Sequence, residues 1–309
     1  MESAALEAVF PALGTTNSIR IFRFEDRAAA GEALGRAKAR VCALHDRLSV
    51  YQPESELSLL NAAAGCAAIP VGEDTLFLLS QSKRYSRLSG GAFSVSTRPL
   101  SALWEIHARC GTVPSRVEVE QSLSLVCDED ILLDERAGTA ELCRFGQSVD
   151  FGGIAKGYAA DEARRILLDG GVTSALLNFG GTVVSIGDVR HVGIQHPDRY
   201  TGVAMGRVAL EDACAVTSGD YERYYEVDGV RYHHIVDPRT GYPSRSTLRS
   251  VTLLCGCALE LDALSTAVFV LGEQEGLRLV QQAGAEAVFV TDKLDVFCTE
   301  GLRGNFELL

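Results

Sequence analysis

A glycine-rich stretch of the sequence carries residue types suited to binding a phosphate. Gly152, Gly153 and Gly157 leave backbone N–H groups unshielded at the predicted start of a helix, and Lys156 adds a full positive charge there. A helix N-terminus also carries a positive partial charge, which favours a phosphate. The glycine spacing by itself is typical of an ordinary strand–helix–strand connection, because it matches neither a dinucleotide fingerprint nor a P-loop.

A second stretch carries two oxygen ligands on one face of a predicted helix. Asp262 and Thr266 are four residues apart, so their side chains point the same way. A carboxylate and a hydroxyl are hard ligands that suit Mg²⁺ rather than zinc. Such a pair usually lies on a solvated face, but the flanking residues are apolar and predict a buried aspartate. A buried carboxylate without a partner is costly, and a metal ion would satisfy it.

A predicted β-hairpin delivers two adjacent histidines. Asp228-Gly229 lies between alternating runs and specifies a two-residue turn, and the second strand of the hairpin ends at His233 and His234. Because side chains alternate along a strand, the two imidazoles point to opposite faces and at most one faces a given site. Taken alone, each histidine is more often structural than catalytic.

The composition is that of a globular chain without a nucleic-acid surface. The 309 residues are 47% hydrophobic, which is enough for a sizeable core. The net charge of −12 argues against nucleic acid, whose binding depends on Lys and Arg. Nine cysteines without CxxC spacing indicate reduced core thiols in a cytosolic protein rather than disulfides or a zinc site.

The first residues of the sequence indicate where the protein is located in the cell. The first ten residues, MESAALEAVF, contain acidic residues and no long apolar run. This pattern predicts no signal peptide and a cytoplasmic location. No apolar run in the sequence is long enough to predict a membrane span.

Hydrophobic periodicity predicts helices and strands within one domain, residues 1–309. Helical spacing is found over 34–48, 73–88, 159–167, 258–271 and 273–283. Strands are predicted at 19–24, 172–178, 192–195, 207–210, 213–217, 250–254, 287–291 and 294–299. Residues 105–147 predict only short strands and turns on the surface.

Three strings occur in the order VDFGGIAKGYAADEARRILLDGGVTSALLNFGG, TSGDYERYYEVDGVRYHHIVDPRTGYP and ELDALSTAVFVLG. Together they resemble the signature of the FAD:protein FMN transferases, the ApbE flavin transferase family. The resemblance implies an α+β fold related to the T-fold, with mixed β-sheets flanked by helices. It also implies an FAD cleft between two lobes that are interleaved in sequence.

The resemblance implies which residues contact FAD. Tyr51 would flank the flavin or adenine ring, and Asp150 would contact a polar group of the ribose or adenine. The full implied set is Leu13, Tyr51, Ala92, Phe93, Ser94, Asp150, Lys156, Ser218 and Val236. Four positions depart from the family pattern, because Leu13, Ser94, Ser96 and Thr182 replace its Met, Asp, Thr and Asp.

The resemblance also implies a metal ion and a reaction. Mg²⁺ would be held by Asp262, Thr266 and the Gly153 carbonyl, with Ser265 nearby. FAD would be the substrate, and its FMN half would move to a Thr or Ser hydroxyl of an acceptor protein with release of AMP. His234 is then the predicted general base, since an imidazole titrates near neutrality, and Asp220 is the second choice.

Two other functions remain open at this point. The four departures from the family pattern leave room for a metal-dependent FAD pyrophosphatase, in which water replaces the acceptor hydroxyl. A flavin-binding protein without catalysis is the third possibility, against which the intact Lys156, His234, Asp262 and Thr266 argue. In neither alternative is an acceptor protein modified.

Overall fold

The computed structural model describes residues 5–309. The cytoplasmic location was predicted from the first ten residues, and residues 1–4 of that segment lie outside the described residues. The helices of the described part are α1 (Arg27–Leu48), α2 (Glu56–Ala62), α3 (Glu73–Leu88), α4 (Arg98–Cys110), α5 (Arg116–Leu123), α6 (Ala155–Asp169) and α7 (Ala258–Ala283). Among them, no helix is both long enough and apolar enough to cross a membrane.

The strands of the described part form four sheets. They are β1 (Leu6–Ala12), β2 (Thr15–Phe24), β3 (Ile69–Pro70), β4 (Ile131–Asp134), β5 (Thr139–Leu142), β6 (Val172–Phe179), β7 (Thr182–Ile186), β8 (Arg190–Gln195), β9 (Ala204–Leu210), β10 (Cys214–Gly219), β11 (Tyr224–Val227), β12 (Val230–His233), β13 (Leu248–Cys255), β14 (Glu286–Thr291), β15 (Val296–Cys298) and β16 (Phe306–Leu308). The main sheet has the order β1-β2-β6-β7-β10-β13-β14-β15. The smaller sheets are β11-β12, β16-β9-β8 and β3-β5-β4.

The α+β class predicted from the sequence is confirmed, and the strand directions are simpler than predicted. Each strand pair in residues 5–309 is antiparallel, whereas mixed sheets were expected. The strands before and after α6 are β5 and β6, and they lie in different sheets. The glycine-rich segment between them therefore does not connect two parallel strands of one sheet. Antiparallel pairing needs no such crossover.

The main sheet buries both of its faces. α1, α6 and α7 pack in a layer on one face, where Ile19, Leu177 and Val251 are fully buried. On the other face the sheet β16-β9-β8 contributes Ile194 and Val208 to a second core. Two apolar layers on one central sheet hold its strands in fixed register, which fixes the strand ends where the polar residues lie.

Two predicted helices agree closely with the structure. The helix predicted over 73–88 spans those residues, and the helix predicted over 258–271 is the first half of α7. Gly272 has a φ of 76°, a left-handed conformation that interrupts α7 where the sequence predicts its end. The second half of α7 then continues to Ala283, as the sequence also predicts.

The prediction for residues 105–147 is wrong in its first part. This region completes α4 and contains α5 before the strands β4 and β5. Ser115 and Glu118 form a capping box that begins α5. Trp104 on α4 is buried, and its indole N–H donates to the Gly241 carbonyl at 2.9 Å. α5 has only eight residues, of which few are apolar, so its periodicity is weak in the sequence.

The contact between α6 and α7 depends on a glycine. A Cβ added at Gly157 would lie 2.2 Å from the Ala258 carbonyl oxygen, far inside contact distance. We expect Gly157→Ala to lower the free energy of unfolding by about 1–3 kcal/mol, because well-packed backbones must separate. Chemical denaturation measures the change.

Gly31→Ala is the matched control for this substitution. Gly31 lies exposed inside α1, and an added Cβ meets nothing within 4 Å. Here alanine should raise the free energy of unfolding by about 0.5–1 kcal/mol through its helix propensity. Equal effects of the two substitutions would show that the α6–α7 contact adapts without cost.

Candidate active site

One cleft of about 650 Å³ gathers residues that are distant in the sequence. Its walls come from the β1–β2 turn, the loop after α1, the segments 92–97 and 150–156, the end of β10, the 222–238 region and α7. Most of the residues predicted from the sequence line it: Leu13, Tyr51, Ala92, Phe93, Ser94, Asp150, Gly153, Lys156, Ser218, His234, Val236, Asp262 and Thr266. Ser265 and Asp220, the second choice for the base, do not line it.

A lysine and an aspartate meet where α6 begins beside α7. The Asp262 side chain is 5% exposed, and its Oδ2 accepts a hydrogen bond from the Gly157 backbone N–H at 2.9 Å. The Lys156 ammonium donates to the Gly152 carbonyl at 2.8 Å and lies 3.4 Å from Asp262 Oδ1. The Gly157 N–H, predicted to face a phosphate, is therefore used to hold the carboxylate.

The residues around Asp262 fit a hard metal ion such as Mg²⁺. A Cβ added at Gly153 would lie 3.4 Å from Thr266 Oγ1, so the Gly153 backbone and the threonine hydroxyl face each other closely. The Asp262 carboxylate and the Thr266 hydroxyl are oxygen donors of the type that Mg²⁺ prefers, and the Gly153 backbone lies beside them. Within residues 5–309 no group of three His, Cys, Asp or Glu side chains forms a metal cluster. The remaining ligands of a bound Mg²⁺ would come from water or substrate oxygens.

Ser265 is turned away from the cleft. Its hydroxyl lies 2.9 Å from the Ser218 hydroxyl on β10 and donates to the Asp262 carbonyl at 3.1 Å. Ser265 is fully buried, because the helix face that carries it packs on the main sheet. Its predicted role as a metal ligand stays a prediction, and its contacts join α7 to the cleft residue Ser218.

The two histidines of the hairpin face opposite ways, as strand alternation predicts. His233 is buried, its Nε2–H donates to the Ser244 carbonyl at 2.8 Å, and its Nδ1 accepts from the Ile235 N–H at 3.3 Å. His234 lines the cleft, and its Nδ1–H donates to the Arg223 carbonyl at 3.2 Å. This bond leaves His234 Nε2 as the basic nitrogen.

The position of His234 favours the neutral imidazole. Burial among protein atoms lowers its pKa to about 4, and the charges of Arg223 and Lys156 act in the same direction. The ring nevertheless keeps accessible surface toward the cleft. A deprotonated imidazole with a free nitrogen on a cleft is the form that a general base requires.

Asp220, the second choice for the base, is held in an ion pair. Its carboxylate accepts from Arg249 Nε at 2.9 Å, and Arg231 lies 3.8 Å away. Asp220 is buried and does not line the cleft. The geometry therefore favours His234 over Asp220 as the base.

Asp150 and Tyr51 form a polar and an aromatic part of the cleft wall. Asp150 Oδ1 accepts from the Gly152 N–H at 2.7 Å, yet burial raises the pKa of this carboxyl above its usual value. The Tyr51 hydroxyl donates to Glu105 at 3.0 Å, and the Arg98 guanidinium lies 5.2 Å from the Tyr51 ring centroid. Tyr51 is 65% exposed, so its ring is available to a ligand.

Ser94, one of the departures from the family pattern, is paired with a carboxylate from a distant segment. Its hydroxyl donates to Asp128 Oδ1 at 2.7 Å, and the Ser96 N–H donates to the same oxygen at 3.1 Å. Sequence reasoning missed Asp128, because nothing in residues 105–147 indicates contact with 94–96.

Two more residues of the site were missed. Glu105 lies on α4, which the sequence did not predict. Arg223 lines the cleft beside His234, and here the sequence did contain a signal. Tyr224 pairs with His233 across the hairpin, so the next residue outward on each strand, Arg223 and His234, must also be neighbours.

The fold of this chain superposes on solved structures of ApbE proteins, among them flavin transferases. The ApbE protein of Thermotoga maritima superposes with a TM-score of 0.88 and 29% identity, over 97% of this chain and 99% of that one. The flavinyl transferase ApbE of Pseudomonas stutzeri, in its apo form, gives a TM-score of 0.84 and 28% identity over 97% and 96%.

Sequence comparison leads to the same family. Residues 13–289 match the ApbE family. An FAD:protein FMN transferase of Klebsiella pneumoniae strain 342 is 35% identical over 85% of this chain and 84% of its own length. One from Treponema pallidum is 32% identical over 96% and 87%. This chain belongs to the ApbE family.

Proposed function

We propose that this chain is a Mg²⁺-dependent FAD:protein FMN transferase, which moves FMN from FAD to a Thr or Ser hydroxyl of an acceptor protein and releases AMP. The observation that carries the proposal is the composition of the cleft. It combines a neutral imidazole, a lysine and a set of hard oxygen donors within one cavity. Phosphoryl transfer needs these elements, since it depends on positioning and charge neutralisation.

The transfer exchanges one phosphorus–oxygen bond for another. The acceptor oxygen bonds to the flavin-side phosphorus, the bond from that phosphorus to the bridging oxygen breaks, and AMP leaves with that oxygen. His234 Nε2 takes the proton of the hydroxyl, because its Nδ1–H is engaged by the Arg223 carbonyl. Lys156, beside Asp262, offsets part of the diphosphate charge.

Asp262, Thr266 and the Gly153 carbonyl would hold Mg²⁺ in this cleft. The ion supplies positive charge next to the diphosphate oxygens when it is bound. The chain keeps the carboxylate in place for this purpose, since the Gly157 N–H fixes one oxygen of Asp262 on the cleft wall. The backbone donor also compensates for burial of the carboxylate.

The rest of the cleft is suited to the flavin nucleotide. The exposed Tyr51 ring offers a surface for a ring system, since aromatic side chains favour stacking, and the buried Phe93 adds an apolar edge to the cleft wall. Asp150 and Ser94 offer polar atoms for the hydroxyl, imide or amino groups of FAD. FAD is consumed in this reaction, so it acts as a substrate and not as a redox cofactor.

Mass spectrometry tests the proposed function directly. The protein is incubated with FAD, Mg²⁺ and an acceptor domain that carries a target threonine, and the acceptor mass and free AMP are measured. We expect the acceptor to gain the mass of one FMN with one AMP released. An acceptor in which the threonine is replaced by valine is the control and should stay unlabelled.

Two other outcomes would replace the proposal. AMP and free FMN without labelling of the acceptor would make the chain an FAD pyrophosphatase. FAD that is bound but unchanged would make it a flavin-binding protein. Neither outcome would alter the family or the fold.

A further inference from the structure

The cleft contains more acidic than basic side chains, although a diphosphate must bind there. Its lining carboxylates are Glu105, Asp150, Glu222 and Asp262, and its lining cations are Lys156 and Arg223. Lys156 is already engaged, since its ammonium contacts Asp262 and the Gly152 carbonyl. Among the described residues, Arg223 is thus the cleft cation whose charge is not already shared with a carboxylate.

The Arg223 side chain has unused hydrogen-bond donors. Its guanidinium makes one long contact, in which Nη2 donates to the Gly14 carbonyl at 3.3 Å. In the part of the chain that the structure describes, no carboxylate forms an ion pair with it. A guanidinium has five N–H donors in a planar fork that matches phosphate oxygens, so most of them remain available.

Arg223 is also tied to the predicted base. Its backbone carbonyl accepts from both the His234 N–H at 3.0 Å and the His234 Nδ1–H at 3.2 Å. The guanidinium charge is close enough to contribute to the low pKa of the imidazole. One residue therefore fixes the orientation of the base and brings a positive charge to the same end of the cleft.

We infer that Arg223 is a further catalytic residue, whose guanidinium binds a diphosphate oxygen of FAD and stabilises the charge that develops as the phosphorus–oxygen bond breaks. This inference rests on the proposed function. In the step, the acceptor oxygen bonds to phosphorus, the bridging oxygen leaves with AMP carrying the electron pair, and His234 takes the proton. Arg223 makes no covalent bond and transfers no proton, because its guanidinium stays charged throughout. Its contact with Gly14 is weak enough to give way to phosphate.

The test compares Arg223→Ala and Arg223→Lys with Arg231→Ala. Arg231 lies on the same hairpin and does not line the cleft, and its guanidinium faces Glu226 and Asp220. We expect Arg223→Ala to lower kcat by about a hundredfold, which is typical for removal of one donor to a developing charge. Arg223→Lys should recover only part of this, since an ammonium lacks the fork. Arg231→Ala should retain kcat, and thermal melting should show whether each variant is folded.

Chemical rescue separates a catalytic guanidinium from a structural one. Guanidinium chloride at millimolar concentration should restore part of the kcat of Arg223→Ala and none of any loss in Arg231→Ala. If Arg223 only stabilised the turn at Gly14 through its hydrogen bond, Arg223→Ala would melt at a lower temperature and guanidinium would not restore its kcat. That result, or an unchanged kcat in Arg223→Ala, would overturn the inference.

Binding measurements show which part of the ligand Arg223 meets. Calorimetry with AMP and with FMN distinguishes the adenylate-side phosphate from the flavin-side phosphate, and the ligand whose binding weakens in Arg223→Ala identifies the phosphate that Arg223 contacts. If wild-type protein binds FAD without transferring FMN, the proposed function fails, and these two titrations still test the phosphate contact. A rise confined to the KM of the acceptor, with both affinities unchanged, would make Arg223 an acceptor contact instead and would overturn the inference.

Discussion

Replacing Asp262 by asparagine is expected to slow FMN transfer by about a hundredfold or more, because the site loses a charged oxygen ligand that phosphoryl transfer requires. The Asp262 carboxylate is buried and held by the Gly157 N–H at 2.9 Å. An asparagine would keep this bond through its carbonyl oxygen. Its amide NH₂ would then point toward the Lys156 ammonium, where two donors face each other.

The effect of Asp262→Asn should be visible apart from turnover. Calorimetric titration with Mg²⁺ in the presence of ADP should show weaker binding to the variant than to wild type. Rates of acceptor labelling, followed by mass spectrometry, give the loss in transfer. Retention of both Mg²⁺ binding and transfer would remove Asp262 from the predicted metal site.

Asp74→Asn is a matched control for the loss of a buried carboxylate. The Asp74 side chain is 8% exposed and accepts hydrogen bonds from Arg40, Arg47 and Tyr158, away from the cleft. We expect this substitution to lower the free energy of unfolding by about 1–3 kcal/mol, since charged hydrogen bonds are weakened. The transfer rate should be retained wherever the variant is folded.

Replacing His234 by glutamine is expected to reduce transfer by about a hundredfold to ten-thousandfold, the range that general bases supply. The reason is the free Nε2 of His234, since Nδ1–H is bound to the Arg223 carbonyl and the ring lines the cleft. His233→Gln is the neighbouring control. Both nitrogens of His233 serve internal hydrogen bonds, so this substitution should lower stability while the His234-dependent pH profile remains.

The pH profile should identify the base. A base acts when deprotonated, so the pKa of about 4 keeps His234 active well below pH 6.5 in the free enzyme. The acid limb of kcat/KM should therefore lie near that value and be absent from the residual rate of His234→Gln. The diphosphate adds negative charge beside the ring and should raise this pKa, so the limb of kcat should lie at higher pH. An acid limb of kcat/KM near pH 6.5 would contradict the lowered pKa of the His234 imidazole.

The melting temperature of the protein should also depend on pH between the folded and unfolded pKa values of His234. The folded pKa of His234 lies below its unfolded value, so the neutral ring contributes stability that is present above pH 6.5 and is lost as the pH falls toward about 4. The melting temperature of the wild-type protein should consequently fall further over this interval than that of His234→Gln. The difference should be modest, because the ring retains contact with water in the cleft.

The sequence by itself determined the family strings and the main helices, and most of the site residues that it predicted line the cleft. Local patterns were sufficient where a signal repeats at short spacing, as with Asp262 and Thr266 on one helix face. The hairpin turn at Asp228-Gly229 likewise fixed the alternation that separates His233 from His234. These features depend on neighbours in the chain, and propensity and periodicity act on neighbours.

Only the tertiary structure decided which distant groups meet. It joined Ser94 to Asp128, gave the Gly157 N–H to Asp262, and turned Ser265 toward Ser218. It also committed Asp220 to Arg249 while leaving Arg223 on the cleft. Such pairings are set by the packing of α6 against α7 and by the register of antiparallel strands. No short-range pattern encodes them, because the partners lie far apart in sequence and approach only when the apolar faces are buried.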